Sequence, residues 1–357
     1  MSKKPLILGI ESSCDETAAS VITENAQGNP TILSNIVSSQ IEIHKEFGGV
    51  VPELAARSHI EKIDWIVEKA INESGKDLKE IDAIASTAGP GLIVCLSVGL
   101  SFGKTLSLSL NKPFIAVNHL EGHALSPKLN SKIDYPYLLL LISGGHSQFL
   151  SVQGLGNYKR LGTTIDDALG EAFDKTAKIL GIEFPGGPQI EILATKGDPK
   201  KYVLPKPIFH KGGCNLSFAG LKTAILKIAK DLKTEQDRYD LAASFQKTIE
   251  EILNKKTKIA FNEFEKLNNN KTKKFVIAGG VAANKKIREM LVNLCNEKNI
   301  EPIFPPKELC SDNAAMIAMV GLEKFKLKQF SKLNHPAIPR WPLDENASFL
   351  KGAGVKL

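Results

Sequence analysis

This sequence of 357 residues contains no CxxC pair, and we expect neither a secretory leader at its start nor a membrane-spanning apolar run. The five cysteines are odd in number and include no CxxC pair, which is typical of a reducing compartment and argues against a disulfide framework. Glu11 interrupts the first apolar run before a signal-peptide cleavage site could follow. Residues 91–110 carry Lys104 and several serines and glycines, so they predict a buried helix rather than a membrane span. We therefore expect a cytoplasmic protein that does not contact a membrane.

The composition is that of an ordinary globular protein, with 43% hydrophobic and 24% charged residues, which excludes a largely disordered or fibrous chain. The length exceeds the usual size of one compact core, so we expect two domains, although one large domain is an alternative. The net charge of +7 could favour a polyanion such as RNA, with lysine-rich stretches at residues 255–258 and 271–274. A solvated helix face explains such stretches equally well.

A strand–turn–strand pattern occurs twice in the chain. The first pairs residues 6–10 with residues 17–23, and the second pairs residues 137–142 with residues 148–152. Polar or glycine-bearing turns separate the two strands of each pair. Both units are predicted to be hairpins.

Helical periodicity alternates with further short apolar runs. The periodicity predicts helices at residues 52–75, 167–180 and about 235–267, and the apolar runs predict strands at residues 81–86, 114–117 and 274–277. In the first helix the predicted buried residues are Leu54, Ile60, Ile63, Val67 and Ile71, and in the second they are Leu169, Ala172, Phe173 and Ala177. This alternation predicts an α/β protein.

The two hairpins and a late Gly279-Gly280 turn together indicate the duplicated actin-like ATPase fold, with two lobes around a central cleft. We expect a first lobe over residues 1–118, completed by residues of about 325–345. The second lobe is expected over residues 119–324, with the metal and substrate sites.

His119 and His123 are four residues apart, so on a helix both imidazoles would face one way and could hold one metal ion. Two ordinary surface histidines are the alternative. Glu121 lies about 200° around a helix from His119 and would point away from the metal. The HExxH mechanism of metalloproteases is therefore not supported.

A carboxylate often completes a site with two histidines, and Asp312 is available at a predicted helix start. The alternative is that Ser311 or Asp312 only caps that helix. Cys310 is interpreted as a buried thiol rather than a ligand.

Glycine turns offer backbone N–H groups to an anion. The turn of Ser143, Gly144 and Gly145 has no side chains that would block a phosphate or carboxylate, although a plain hairpin turn would look similar. The Gly279-Gly280 turn with Asn284 has the same two interpretations. Taken alone, Gly186-Gly187 could be a simple chain reversal and Asp174 an exposed helix acid.

Ten ordered motifs carry a resemblance to one family. They include LGIESSCDET at residues 8–17, GGVVPELAARSH at residues 48–59, HLEGH at residues 119–123, LISGGH at residues 141–146, GEAFD at residues 170–174, SFAGLKT at residues 217–223, GGVAAN at residues 279–284 and SDN at residues 311–313. The remaining two are AGPGL at residues 88–92 and PGGP at residues 185–188. From about residue 6 to residue 343, the chain resembles the TsaD family, the tRNA N6-adenosine threonylcarbamoyltransferases formerly labelled glycoproteases.

The resemblance implies an actin-like fold and an acyltransferase that moves the threonylcarbamoyl group of threonylcarbamoyl-adenylate to N6 of adenosine 37 in tRNAs reading ANN codons, releasing AMP. It implies that His119, His123 and Asp312 hold one divalent metal ion per subunit, with iron favoured over zinc. The residues it implies for the adenylate substrate are Leu141, Ile142, Ser143, Gly144, Gly145, Asp174, Gly187 and Asn284. Glu191 departs from the aspartate that the family often has as a ligand of a substrate hydroxyl.

The donor is an activated anhydride, so the enzyme mainly has to position an amine and stabilise charge as AMP leaves. Asp15 or Glu16 could take the proton of the amine or orient the acceptor. The resemblance also implies a TsaB-type paralogue and a TsaE-type ATPase as partners, after a TsaC-type enzyme has made the adenylate. A metalloprotease, an actin-like-fold kinase and a non-catalytic nucleotide-binding scaffold are the competing hypotheses.

Overall fold

A computed structural model describes residues 4–269 and 272–347 of the chain. The chain forms two compact units. Unit 1 comprises Met1–Ile133 and Pro305–Glu345, and unit 2 contains Asp134–Phe304. Each unit is built on one five-stranded sheet, and helices accompany both sheets, which confirms the predicted α/β class.

The sheet of unit 1 is an antiparallel meander that continues into two parallel strands. Its order is β3-β2-β1-β4-β5, and the strands are β1 (Ile7–Glu11), β2 (Glu16–Glu24), β3 (Pro30–Ser39), β4 (Ala83–Gly89) and β5 (Phe114–Asn118). β1 pairs antiparallel with β2 and parallel with β4, so it is the central strand, and all five of its residues are buried. The first predicted hairpin is confirmed.

The helices of unit 1 are α1 (Ile41–Lys45), α2 (Pro52–Ser74), α3 (Ile93–Leu110), α4 (His119–Leu125) and α10 (Ala314–Lys326). α2 confirms the helix predicted at residues 52–75, with proline in its first turn and Gly75 directly after its end. The prediction that Ile60 is buried is wrong, because its side chain is 64% exposed, and Leu54 is only half-buried. In this half of α2 the buried face is formed by Ala55, Ser58 and His59, and Ile60 lies at its edge.

α3 has the length and apolar composition that a membrane-crossing helix needs, with a mean hydropathy of 1.6 over 18 residues. One such helix is weak evidence for a membrane, since core helices meet the same criteria. α3 packs against β4 and α2, and its buried residues recur at Cys95, Gly99, Gly103 and Ser107. That spacing is the inner face of a helix that covers a sheet, so α3 is buried on one face where the sequence predicts a buried helix.

The sheet of unit 2 repeats the topology of the first. Its order is β8-β7-β6-β9-β10, and the strands are β6 (Tyr137–Ile142), β7 (Ser147–Gly154), β8 (Asn157–Thr163), β9 (Lys274–Ala278) and β10 (Glu301–Ile303). Three antiparallel strands are again followed by two parallel ones. The second predicted hairpin and the predicted duplication are confirmed.

The helices of unit 2 are α5 (Leu169–Ile179), α6 (Gly186–Ala194), α7 (Ala219–Ala229), α8 (Glu235–Asn268) and α9 (Lys285–Lys298). α5 and α8 confirm the helices predicted at residues 167–180 and 235–267. The four residues of α5 that were predicted to be buried are all buried. They join a large apolar core with α7, α8 and the inner face of the sheet.

The limits of the units differ from those predicted for the two lobes. Residues 119–133 and 305–324 were expected in the second lobe, but they belong to unit 1. The reason is packing, since α10 lies against β1, β4 and α4. The two histidines and Asp312 are therefore residues of unit 1, whereas the residues expected to bind the adenylate belong to unit 2.

Candidate metal centre and substrate turns

His119 and His123 lie on α4, which starts directly after β5. The Asn118 side chain caps this helix by accepting hydrogen bonds from the backbone N–H groups of Leu120 and Glu121, 2.9 and 3.4 Å away. Both imidazoles are buried, and their ring centroids are 4.8 Å apart. The short helix thus brings the two rings together, as their spacing predicts.

Asp312 joins the two histidines. Its Oδ1 atom lies 2.9 Å from Nε2 of His123 and 3.5 Å from Nε2 of His119. The helix cap of α10 is Asn313, whose side chain accepts a hydrogen bond from the N–H of Met316. The alternative that Ser311 or Asp312 caps this helix is therefore excluded, and the Asp312 carboxylate faces the imidazoles.

Glu11 holds His119 from the other side. Its Oε2 atom lies 3.1 Å from Nδ1 of His119, and it accepts a hydrogen bond of 2.6 Å from the Thr87 hydroxyl. The Ser13 hydroxyl is 3.2 Å from the same Nδ1. A carboxylate at Nδ1 fixes the proton there and leaves Nε2 free as a ligand atom. Sequence reasoning missed this role, although an acid at the end of a buried strand is a signal for a buried partner.

The charges around this group are strongly coupled. Burial would lower the pKa of His119, but the carboxylates of Asp312 and Glu11 outweigh burial and raise it to about 9. Burial would raise the pKa of Glu11, but the charge and hydrogen bond of His119 lower it. Burial, Asp312 and Asp15 hold the pKa of Glu16 well above its ordinary value. The carboxyl groups outnumber the cations here, which favours a bound cation.

The donor set fits a divalent metal ion. One atom each of His119, His123 and Asp312 lies within 4.8 Å of the other two. Nδ1 of His123 is buried and has no hydrogen-bond partner among the residues that the structure describes. Two imidazole nitrogens and a carboxylate oxygen are a set that iron and zinc both accept. Glu121, in contrast, forms an ion pair of 3.0 Å with Lys324, as expected for a side chain directed away from the metal site.

Asp15 and Glu16 lie where β1 turns into β2. Neighbouring elements hold this turn: His59 of α2 lies 3.0 Å from the Cys14 carbonyl through Nε2, and the Gln40 N–H donates to the Asp15 carbonyl over 3.0 Å. The other nitrogen of the His59 ring is 2.8 Å from the Thr17 hydroxyl. The buried His59 therefore fixes the turn that carries both acids.

In unit 2, Leu141 and Ile142 end β6 as buried residues, and Ser143, Gly144 and Gly145 form the turn to β7. A Cβ atom on Gly144 or Gly145 would meet nothing within 4 Å, so this turn is open. Gly170, in the first turn of α5, is packed on it, because a Cβ atom there would lie 2.7 Å from Cα of Gly144. The helix start and the glycine turn are thus one rigid corner.

The turn after β9 packs on the same corner. Gly279 has a φ of 94°, and a Cβ atom there would lie 2.4 Å from the Ile142 carbonyl oxygen. Asn284 follows and caps α9, with its Oδ1 atom 3.0 Å from the N–H of Ile287. Gln246 of α8 forms a reciprocal pair with the Asn284 amide, at 3.1 and 3.2 Å. Sequence reasoning did not identify Gln246.

Asp174 and Glu191 both hold backbone N–H groups. Oδ1 of Asp174 accepts a hydrogen bond of 2.8 Å from the N–H of Gly186, which places Gly187 in the first turn of α6. Glu191 accepts a hydrogen bond of 2.7 Å from the N–H of Lys285 at the start of α9. The longer side chain at position 191 thus ties α6 to α9.

The sequence matches the model of the TsaD family, tRNA N6-adenosine threonylcarbamoyltransferase, over residues 31–319. A tRNA N6-adenosine threonylcarbamoyltransferase of Pelagibacter ubique (strain HTCC1062) is 79% identical over 357 residues, and the match covers 100% of both chains. One of Rickettsia massiliae (strain Mtu5) is 55% identical over 342 residues, which are 95% of this chain and 98% of that protein.

Two solved structures of HypF resemble this fold. Full-length HypF in its phosphate- and nucleotide-bound form has a TM-score of 0.57 at 14% identity, covering 93% of this chain and 48% of that one. HypF of T. kodakarensis has a TM-score of 0.58 at 12% identity, covering 94% and 49%. This chain therefore spans about half the length of the HypF chains. The likeness concerns the fold alone, and it shows the duplicated actin-like ATPase architecture.

Proposed function

The chain belongs to the TsaD family of tRNA N6-adenosine threonylcarbamoyltransferases. On this basis we propose which residues bind the metal ion, which bind the donor and which accepts the proton. The protein is an acyltransferase that modifies tRNA by placing a threonylcarbamoyl group on N6 of an adenosine. We propose that the donor is threonylcarbamoyl-adenylate and that the acceptor is adenosine 37 of tRNAs reading ANN codons. AMP is then the second product.

His119, His123 and Asp312 are the proposed ligands of one divalent ion, with iron preferred to zinc. The convergence of their three donor atoms is the observation that carries this proposal. A metal ion bound there would supply Lewis-acid polarisation of donor oxygens. Glu11 keeps the His119 ring oriented with Nε2 toward Asp312, and this orientation does not depend on the ion.

The open turn of Ser143, Gly144 and Gly145 is the proposed binding site for the anionic part of the adenylate. Backbone N–H groups without neighbouring side chains can approach a phosphate closely. Leu141 and Ile142 position this turn as the end of a buried strand. We propose that Asp174, Gly187 and Asn284 complete the adenylate site, with Asp174 shaping the loop at Gly187 and Gln246 orienting Asn284.

In the proposed step, the N6 amine attacks the carbamoyl carbon of the donor. A C–N bond forms, the C–O bond to the phosphate of AMP breaks, and the electron pair of that bond leaves with AMP. The amine loses one proton, and Asp15 is the proposed acceptor. Glu16 is the weaker candidate of the two, because burial and the neighbouring carboxylates of Asp312 and Asp15 raise its pKa and so favour its protonated form.

The partners proposed for this chain are tRNA, a TsaB-type paralogue and a TsaE-type ATPase, and the proposed location is the cytoplasm. The competing functions lack support. A metalloprotease needs a base beside the metal, and Glu121 is instead paired with Lys324. The named relatives are threonylcarbamoyltransferases, which transfer an acyl group and not a phosphoryl group, so a kinase is not supported either.

Mass analysis of tRNA nucleosides tests the proposal. Purified protein and unmodified tRNA, supplied with threonylcarbamoyl-adenylate and the presumed partners, should yield threonylcarbamoyladenosine and AMP in equal amounts. His119→Ala and Asp312→Ala should abolish the product, and Asp15→Asn should slow single-turnover transfer by about 100-fold or more. Glu121→Gln is the matched control and should retain transfer. Full transfer by the His119→Ala protein would overturn the metal assignment.

A further inference from the structure

The positive charge of this protein is concentrated in one stretch of unit 2. Residues 196–233, termed the basic segment, contain nine lysines and two aspartates. Their net charge of +7 equals the formal net charge of the whole chain, which is also +7. The remainder of the protein is therefore neutral overall.

The lysines of the basic segment are all exposed. Among the described residues, one of the nine forms an ion pair, which joins Lys206 to Glu251. On α7, Lys222 and Lys227 are exposed and Lys230 follows the last turn, whereas Leu221 and Ile225 are the residues that enter the core. Unpaired like charges repel one another, so their accumulation here needs an anionic partner to be favourable.

Buried polar side chains of α8 hold the loop that precedes α7. Asp240 accepts a hydrogen bond of 2.8 Å from the N–H of Asp198, and Ser244 accepts one of 3.1 Å from the N–H of Tyr202. The fully buried Lys256 donates to the carbonyl groups of Lys211 and Gly213, at 3.0 and 3.2 Å. Burying a lysine costs free energy unless its ammonium group is hydrogen-bonded. Lys256 therefore requires the loop to keep both carbonyl groups in place, which fixes the path of the loop.

The lysine-rich stretch at residues 255–258 was one of two suggested by the sequence as a polyanion surface. Lys256 within it is buried and serves as an anchor, whereas Lys255 and Lys258 are exposed on α8, whose sequence holds seven acidic and six basic residues. The net positive charge lies on the basic segment that Lys256 holds in place.

The basic segment borders the proposed adenylate turn. α7 packs against α5, whose first turn carries Gly170 beside Gly144. Asp166, just before α5, accepts hydrogen bonds from the Ser217 hydroxyl and the Phe218 N–H, over 2.5 and 2.8 Å. The start of α7 is thus fastened to the same corner of unit 2.

We propose that the basic segment is the surface through which unit 2 binds the phosphate backbone of tRNA. This inference rests on the proposed function, which supplies tRNA as the polyanion. Lysines bind phosphates as mobile point charges without reading bases, which suits an enzyme that modifies several tRNAs. Each phosphate neutralised releases counterions, so the affinity of this surface should depend steeply on salt.

The test compares two quadruple variants of the full-length protein. The first carries Lys200→Gln, Lys201→Gln, Lys222→Gln and Lys230→Gln in the basic segment. The second removes the same charge from exposed lysines elsewhere in unit 2, with Lys255→Gln, Lys258→Gln, Lys266→Gln and Lys298→Gln. Binding of labelled tRNA is measured by anisotropy from 50 to 300 mM salt. All eight side chains are exposed, so melting temperatures should match that of the wild type and confirm folding.

The first variant should bind tRNA about tenfold more weakly at 100 mM salt, and the slope of log Kd against log salt should fall by about 3. The second should change neither quantity substantially. Acetylation of lysines by a soluble ester, followed by mass mapping, should show that tRNA protects the basic segment of the wild type.

Equal tRNA affinity and slope for the first variant and the wild type would overturn this inference and leave the proposed function standing. Loss of binding to an acidic partner protein, with tRNA binding retained, would also overturn it. Failure of the proposed function would look different, because the wild type itself would then form no threonylcarbamoyladenosine.

Discussion

At the scale of single residues, the orientation of one imidazole ring has the widest consequence. His119 is a useful metal ligand only if Nε2 is unprotonated and points toward Asp312. The buried Glu11 carboxylate accepts the Nδ1–H of the ring and so selects this tautomer. The Thr87 hydroxyl donates to Glu11 and fixes the carboxylate in turn.

Glu11→Gln is predicted to weaken metal binding by about tenfold or more, because the amide is a poorer acceptor and lowers the basicity of the ring. The measurement is competition with a chromophoric chelator, carried out with zinc and, under anaerobic conditions, with iron(II). Glu121→Gln is the matched control, since it removes a buried carboxylate of the same unit that forms an ion pair with Lys324. An unchanged metal affinity in Glu11→Gln, with only a lower melting temperature, would make Glu11 a purely structural residue.

The site residues identified from the sequence lie in recognisable motifs. The residues that were missed are hydrogen-bond partners of those site residues. His119, His123 and Asp312 are brought together as predicted, although 189 residues separate His123 from Asp312. Glu11 and Gln246 were not identified, because hydrogen bonds between distant elements leave no local pattern. The capping role of Asn313 was assigned to its neighbours for a similar reason, since Ser311, Asp312 and Asn313 are all good helix caps.

At the scale of elements, the start of α10 decides where Asp312 lies. Asn313 accepts the N–H of Met316 and donates to the Ser311 carbonyl, over 3.1 and 2.8 Å. Both hydrogen bonds fix the backbone on either side of Asp312. The cap therefore contributes to the position of the carboxylate as well as to the stability of the helix.

Asn313→Ala is predicted to lower the free energy of unfolding by about 1 kcal/mol and also to weaken metal binding. Thr234→Ala is the matched variant, because Thr234 caps α8 of unit 2 through the N–H of Asp237. It should cost a similar free energy without altering metal affinity. Denaturant melts and chelator competition measure the two effects. Equal metal affinity in the two variants would show that the Asn313 cap does not influence metal binding.

The elements found from the sequence are those with a strong period. α2, α5 and α8 have clear apolar stripes, and the two hairpins are short runs around polar turns. β3 and β8 were not predicted, and both are outer strands of their sheets. Only one of ten residues in β3 and three of seven in β8 are buried, so the apolar signal is weak. These strands form because their backbones pair with neighbouring strands, β3 with β2 and β8 with β7, and a local apolar pattern does not report such pairing.

At the scale of the whole molecule, the predicted duplication held but the predicted limits of the lobes did not match the units. The duplication is visible in the sequence, because two strand–turn–strand units have similar turns, but the order of the strands in each sheet comes from the structure. The return of residues 305–345 to unit 1 depends on the packing of α10 on β1, which no local pattern reports.

The stability of the metal-free protein should depend on pH through the pair of His119 and Glu11. The pKa of His119 is raised to about 9 by the carboxylates of Asp312 and Glu11. The stabilisation of the folded protein by the charged imidazole is therefore fully present below about pH 6.5 and is lost as the pH rises through 9. The lowered pKa of Glu11 describes the same interaction, which is lost again in acid. The free energy of unfolding should therefore fall by a few kcal/mol at most from pH 6.5 to pH 9.

Thermal melts in the presence of a chelator check this, and His119→Asn should flatten the profile over the same range. A wild-type profile that is flat or rises between pH 6.5 and pH 9 would contradict the assignment.

The division of unit 1 into an early and a late stretch of chain has a consequence for biogenesis. The two imidazoles leave the ribosome together, and Asp134–Phe304 of unit 2 are translated before Asp312 follows. The third ligand is in place only when α10 docks on β1, which also closes the core of unit 1. If His119, His123 and Asp312 hold the ion as proposed, metal loading is a late event in the maturation of this protein, and a chain that stalls before α10 has both imidazoles but lacks the third ligand.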